Sequence, residues 1–285
     1  MSQISQTPLS ALRDLLVGTL IEGENDPASS AIGYGLTLAR ASGAHLTVQS
    51  ASWRLSGDEA WIGAFSEGEA IVDRRLDEVA RAVAARAAGD AALAGIVCTT
   101  EAPSLPYPEI VARLATTARL YDLVVLDAGP RTFDLDREAI ETVLFSSGRS
   151  VIAVPPGYAA FSGRRIIVAW DGSAQAARAA NEALPFLRAA EAVEIVSVGD
   201  EALIHEGVPG AEFAPHLARH GVNVTINDLS PADGVADTLR AQAGLFRADM
   251  IVMGAYRHSR TREFLVGGVT RSLLRRSPVP LFLSH

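Results

Sequence analysis

The chain has 285 residues, 48% of them hydrophobic and 20% charged, with a formal net charge of −8. That composition supports a packed core in one large domain or two of ordinary size, and it excludes a mainly disordered chain. The acidic balance argues against a general nucleic-acid binder, which would carry a basic stripe.

Residues 1–12 read as a polar leader without the charged start and apolar core of a signal peptide. Leu15 to Leu20 is an apolar run suited to a buried strand, and Asp26-Pro27 suits a helix start before Ala28 to Ala41. His45 to Ala51 is a second strand, followed by a section without clear period to Gly68. A long helix is expected from about Glu69 to Ala88, with Ala70, Val72, Leu76, Val79 and Val83 at helical spacing. Gly95 to Glu101 is a third strand, holding Cys98, the only cysteine. No intramolecular disulfide can form, and Cys98 reads as a small buried hydrophobe. A helix over Glu109 to Leu120 precedes Asp122 to Leu126, a continuous apolar run of the kind covered on both faces in a parallel sheet. A polar loop, Gly129 to Asp136, leads to a helix ending near Ser146, and Val151 to Val154 is the last strand of this unit. The stretch from Pro155 to Gly163 then breaks the pattern, as a linker does.

The alternation restarts at once. Arg165 to Ala169 is a strand, and Asp171, Gly172 and Ser173 turn into an alanine-rich helix running to about Ala190. Val193 to Val198 is a strand, 200–208 a loop and 210–220 a helix. Val222 to Leu229, Gly234 to Phe246 and Asp249 to Met253 read as strand, helix, strand. A basic loop with Arg257, His258, Arg260 and Arg262 follows Gly254, and Gly267-Gly268 opens a helix from Val269 to Arg276. Val279 to Leu283 is the final strand. No apolar run reaches the roughly 18 residues that span a bilayer. No membrane or nucleic-acid partner is expected, and a cytoplasmic location is.

Landmarks recur between the halves. Asp122 to Leu126 matches Asp249 to Met253, Val151 to Val154 matches Leu281 to Ser284, and Leu15 to Gly18 matches Ile166 to Ala169. The expected fold is therefore α/β, with two tandem doubly wound, mainly parallel five-stranded sheets of Rossmann-like type, in domains 1–157 and 164–285. Ligands of such sheets lie beyond the carboxyl ends of the strands. Two strand ends of the second unit suit that place, the Asp171 turn and the stretch after Met253. There a basic loop runs into a glycine-opened helix, whose outward N–H groups can cradle an anion.

These residues carry a resemblance. The strand into Asp171-Gly172-Ser173, the Asp249-to-Gly254 strand, and Gly267-Gly268-Val269-Thr270 before a final strand resemble the universal stress protein family, and the whole chain is similar to its tandem two-domain form. The family's ATP-binding members carry glycine, two residues, glycine, nine residues, then glycine and serine or threonine. Gly254, Arg257, Gly267 and Gly268 stand on those positions with the spacing intact. Arg257 replaces the second glycine, where it could crowd the phosphates or supply a cation, and Gly268 replaces the hydroxyl residue.

The resemblance implies roles for named residues. Asp171 and the backbone near Ala169 would lie beside adenine and ribose. Val198 and Met253 would pack on the base. Gly254 and Tyr256 would line the ribose–phosphate turn, and Gly267, Gly268, Val269 and Thr270 would hold phosphate oxygens. ATP is the first choice of ligand, with AMP or ADP next and Mg²⁺ accompanying a triphosphate. No Walker lysine motif is present, and no catalytic residue is assigned. Leu20 and Asp127 stand where Asp171 and Gly254 stand in the second unit, so the first reads as a degenerate copy. The implied output is nucleotide-dependent binding of a protein partner not named by the sequence, or assembly. The strands Val151–Val154 and Val279–Leu283 would pair the domains edge to edge as an internal pseudo-dimer, and two chains could pair again as a homodimer.

Competing readings are a slow ATPase using Arg257 and His258, and an interaction protein that binds no nucleotide. Asp171 also suits an N-cap, and Trp170 suits the core better than a base. His216 and His220 stand at i, i+4 without a third ligand, so no metal site is assigned. Asp134, Asp136, Glu138 and Glu141 read as a solvated helix start favoured by the dipole.

Overall fold

The computed structural model describes residues 7–23, 28–54, 66–129, 135–199, 210–231, 233–256 and 268–285, with backbone alone at 66–70 and 135. The expected loops at 55–65, 130–134 and 200–208 lie outside them, as do residues 1–6.

The first half contributes β1 (Asp14–Ile21), β2 (His45–Arg54), β3 (Cys98–Glu101), β4 (Ser104–Pro106), β5 (Leu123–Asp127) and β6 (Val151–Val154). The second contributes β7 (Arg165–Ala169), β8 (Ala192–Val198), β9 (Val224–Leu229), β10 (Met250–Gly254) and β11 (Leu281–Ser284). All lie in one 11-stranded sheet ordered β3-β2-β1-β5-β6-β11-β10-β7-β8-β9, with β4 attached to β2. Every neighbouring pair is parallel except β6 and β11. Each half thus repeats one doubly wound order in mirror sequence across the β6–β11 seam. The expected α/β class is observed, and the two expected sheets are fused into one.

The helices are α1 (Ser30–Ser42), α2 (Ser66–Leu93), α3 (Tyr107–Ala118), α4 (Leu135–Ser146), α5 (Ala174–Glu182), α6 (Leu184–Ala189), α7 (Gly210–Arg219), α8 (Val235–Phe246) and α9 (Val269–Arg275). One core joins β-strand side chains to α1, α5, α6 and α7, and a second, on the opposite face, joins them to α3, α4, α8 and α9. Both cores run through both halves. The central strands β5, β6 and β11 are buried at every position, which explains the apolar runs 123–126, 151–154 and 281–283 within them. The edge strand β9 mixes partly buried and exposed residues instead.

Several elements depart from expectation. The alanine-rich segment after Ser173 is two helices, because Pro185 has no N–H to continue the ladder and its ring crowds the carbonyl one turn back. Strand β4 is an element not among the expected ones. Within the expected polar leader, Pro8–Ala11 forms a 3-10 turn with Leu9 and Leu12 buried in the first core. Cys98 is half-buried on an edge strand rather than fully enclosed, and burial raises its thiol pKa.

The seam is secured on the face covered by α1, α5 and α6. Phe282 of β11 lies opposite Ile152 of β6 in the antiparallel register. Beneath it an aromatic row runs from Phe282 to Phe186 of α6 (5.7 Å), Phe161 of the linker (5.8 Å) and Tyr34 of α1 (5.6 Å). The linker is docked, not loose: Phe161 N–H donates to Thr37 Oγ1 at 2.7 Å, and Gly157 N–H to Ser30 Oγ at 3.1 Å. Glu182 of α5 accepts hydrogen bonds from Ser150 and Ser284, one from each side of the seam.

Candidate functional site

In the second half the winding direction reverses between β7 and β10, so their carboxyl ends part to form the crevice in which such sheets take ligands. Ala169 pairs with Met253 across these strands. On the other side Ala169 pairs with Val196, so Val198 stands two residues farther along β8 at the same end of the sheet. Ala169 and Val198 are partly buried, and Met253 is buried.

Beyond β7 the chain turns sharply, with Gly172 in the left-handed region (φ +70°). Asp171 is exposed, and its Oδ1 accepts the Ser173 N–H at 3.0 Å. The cap of α5 is Ser173, whose Oγ accepts the Ala176 N–H at 3.1 Å, so Asp171 shapes the turn and is not the cap. Trp170 is buried and stacked on Phe213 with ring centroids 4.0 Å apart, which commits it to the core.

Beyond β10, Gly254 touches the first turn of α5. A Cβ there would fall 2.6 Å from Ala176 N and 2.6 Å from the Gln175 carbonyl carbon. Ala255 follows, fully buried, its N–H donating to Ser284 O at 2.8 Å. Tyr256 adopts φ +56°, uncommon for a residue with a side chain. Its N–H donates to Thr270 Oγ1 at 3.3 Å, which draws the start of α9 against the end of β10. Gly268 is the N-cap of α9 in extended conformation, with no side-chain cap, and Val269 begins the helix. The N–H groups of that first turn have no acceptor within the helix. Arg257 and Gly267 lie outside the described residues, as do His258 and Ser259. The described candidates therefore gather at one end of the sheet.

Two of these side chains also have partners within the chain. The Tyr256 hydroxyl donates to Glu141 Oε1 at 2.8 Å, and its ring packs on Phe145 at 5.2 Å, both on α4 of the first half. The tyrosine ring thus reaches across the seam. Thr270 is buried and its oxygen is already an acceptor for Tyr256. Sequence reading missed Phe145 and His285, and it gave Glu141 no role at this site. Their only signal was two aromatic residues and an acid near the seam, without a spacing that joins them.

The acidic cluster does open α4, with Glu138 exposed, but it is not wholly solvated. Asp136 is buried and accepts the Gly129 N–H at 3.3 Å, and Glu138 accepts the Tyr107 hydroxyl. Glu141 faces Tyr256, with Arg137 Nε at 3.7 Å. Asp134 lies outside the described residues. Between α4 and α9 a cavity of about 20 Å³ is lined by Ala128, Asp136, Arg137, Leu274 and Arg275, room for a water and not for a nucleotide. Among the described residues no three His, Cys, Asp or Glu side chains group as a metal site, and His216 is engaged with Asn181 Oδ1 at 3.1 Å. No helix among them is long and apolar enough to cross a membrane.

In the first half the same strand end carries Asp127 in place of glycine. Its carboxylate accepts Ser29 Oγ at 2.6 Å and the Ala31 N–H at 2.9 Å, so the start of α1 is satisfied from within the chain. Asp127→Ala should lower stability by about 2 kcal/mol, the upper range for a lost helix cap. Urea unfolding reads this directly, and a loss below about 0.5 kcal/mol would mean that water replaces the carboxylate.

Residues 218–285 match the model of the universal stress protein family. That segment, about a quarter of the chain, is similar to the universal stress protein family. The whole chain shares its fold with solved structures. It is similar to the crystal structure of a universal stress protein from Archaeoglobus fulgidus DSM 4304, at 18% identity and a TM-score of 0.69, with 95% of each chain covered. A functionally unknown protein from Pseudomonas aeruginosa PAO1 aligns at 14% identity and a TM-score of 0.59, over 97% of this chain and 93% of that one. No curated protein matches the chain by sequence. At such identities the structural likeness carries the fold alone. The family match covers β9, α8, β10, α9 and β11, the part of the universal stress protein fold that holds Met253, Gly254 and Gly268.

Proposed function

We propose that this stress protein binds an adenine nucleotide, ATP first and AMP or ADP next, in its C-terminal domain, and acts through nucleotide-dependent partner binding or assembly. The two units are domains 1–157 and 164–285, and the protein works in the cytoplasm. The observation that carries the reading is convergence. Ala169, Asp171, Val198, Met253, Gly254 and the Gly268–Thr270 helix start, far apart in sequence, lie at one end of the sheet beside the switch point. Base and ribose would occupy the β7–β8 side, near Ala169, Asp171 and Val198. Phosphates would face Gly254 and the N–H groups of Gly268, Val269 and Thr270, where the helix dipole favours negative charge. Arg257 and Gly267 complete the phosphate loop in this reading, and Mg²⁺ accompanies ATP.

The first domain supports the same assignment by contrast. Asp127 stands at the strand end where Gly254 stands in the second half and its carboxylate faces the start of α1, so a phosphate beside that strand end would be repelled. Titration calorimetry with ATP, ADP and AMP in the presence of Mg²⁺ tests the proposal. Micromolar binding of one nucleotide per chain is expected, and binding no tighter than millimolar by all three would defeat it. Phosphate release from bound ATP at a rate abolished by His258→Ala would replace it with the hydrolase reading.

A further inference from the structure

We infer that the first half positions the end of β10 and Tyr256 at the second half's candidate site, with Glu141 and Phe145 of α4 acting as positioning residues through Tyr256. The inference deepens the nucleotide reading and rests on it for its functional consequence. Its structural content stands on its own contacts.

Tyr256 is the first residue after β10 whose backbone leaves the sheet register, immediately ahead of the basic loop. Its left-handed φ of +56° is sparsely populated for a residue with a Cβ, so the surroundings must hold it there. Three contacts do so. The backbone N–H is bound by Thr270 Oγ1, the ring lies on Phe145, and the hydroxyl is bound by Glu141 Oε1. Two of the three come from the other half of the molecule, 111 and 115 residues away in sequence (256 − 145 and 256 − 141).

The chain's last residue closes the same cluster. His285 packs on Phe145 at 4.6 Å, and its Nδ1 is 2.9 Å from Ala255 O. Its backbone oxygen accepts from Arg178 of α5 at 2.7 Å. Ala255 and Tyr256, the entry to the candidate phosphate loop, are therefore clamped by β11, α4 and α9 together. A first domain with its own helix start filled by Asp127 still has work to do here. Its α4 holds Tyr256, the last described residue before 257–267.

The test uses the full chain with Glu141→Ala, Glu141→Gln and Tyr256→Phe. Hydrogen exchange is read without nucleotide over 253–256 and 268–275. Glu141→Ala and Tyr256→Phe should each raise exchange there by about threefold to tenfold, as one lost hydrogen bond implies. Glu141→Gln should stay near wild type, because its amide oxygen still accepts the hydroxyl. The double variant Glu141→Ala/Tyr256→Phe should match the single ones, since both remove the same bond. The same two disruptive variants should weaken ATP binding several-fold, with Glu141→Gln spared. Unchanged exchange in both disruptive variants overturns the inference. So does a Glu141→Gln effect as large as that of Glu141→Ala, because charge pairing with Arg137 would then be responsible. If wild type binds no adenine nucleotide, the nucleotide reading fails, whereas the exchange result still decides the positioning.

Discussion

Phe282→Ala is expected to lower the unfolding free energy by about 3–5 kcal/mol, the cost of deleting a buried aromatic side chain. The ring is 1% exposed and sits on β11, beside the antiparallel junction. It ends the aromatic row that continues through Phe186 and Phe161 to Tyr34. Removing it takes area from the core and also takes one of the two aromatic neighbours of Phe186 in the row. Because each core runs through both halves, the loss should be felt by the whole molecule. Urea unfolding followed by far-ultraviolet dichroism and by tryptophan fluorescence should shift by the same amount. A shift in one signal alone would mean that the halves unfold separately and that the seam is a weak junction.

The seam itself was legible in the sequence. Val151–Val154 and the final strand are short, wholly apolar runs at corresponding points of a repeat, and such edges need covering. Their pairing is what the structure contains. The central strands were legible for the same reason, since burial on both faces leaves no polar position to confuse the pattern. Short elements near proline were not. Strand β4 is three residues ending at Pro106, and its partly buried positions leave no alternation to read. The break at Pro185 was hidden by the alanines around it, whose helical preference on both sides is genuine.

At the candidate site the division is similar. Strand ends and glycines follow from local pattern, so Ala169, Met253, Gly254 and Gly268 could be picked out and do lie together. The partners of Tyr256 could not be, because contact with Glu141 depends on how two halves meet across a seam. Asp171 illustrates the intermediate case. Asp, Gly and Ser in succession do announce a helix start, but which oxygen caps it depends on backbone geometry, and Ser173 wins.

Gly254→Ala is the sharpest test of how that site is built, with an expected loss of about 3 kcal/mol, near the upper end for overpacking. The added methyl would meet Ala176 N and the Gln175 carbonyl carbon at 2.6 Å, and Gln175 Cβ at 2.7 Å. Two of these are backbone atoms in the first turn of a capped helix, so no rotamer change relieves the contact. Either α5 retreats, taking the Ser173 cap and the Asp171 turn with it, or the end of β10 shifts away from Ala169 and β11. Both routes disturb the candidate site, and both act with no nucleotide present. Glycine at this position is therefore explained by helix packing even before a phosphate is considered. If Gly254→Ala keeps wild-type stability to within about 0.5 kcal/mol, as an ordinary surface change does, the packing account is wrong. An accompanying loss of ATP binding would then assign the glycine to the ligand alone. Loss of both together is the expected result, because the same close approach that seats α5 against β10 also sets the floor of the crevice.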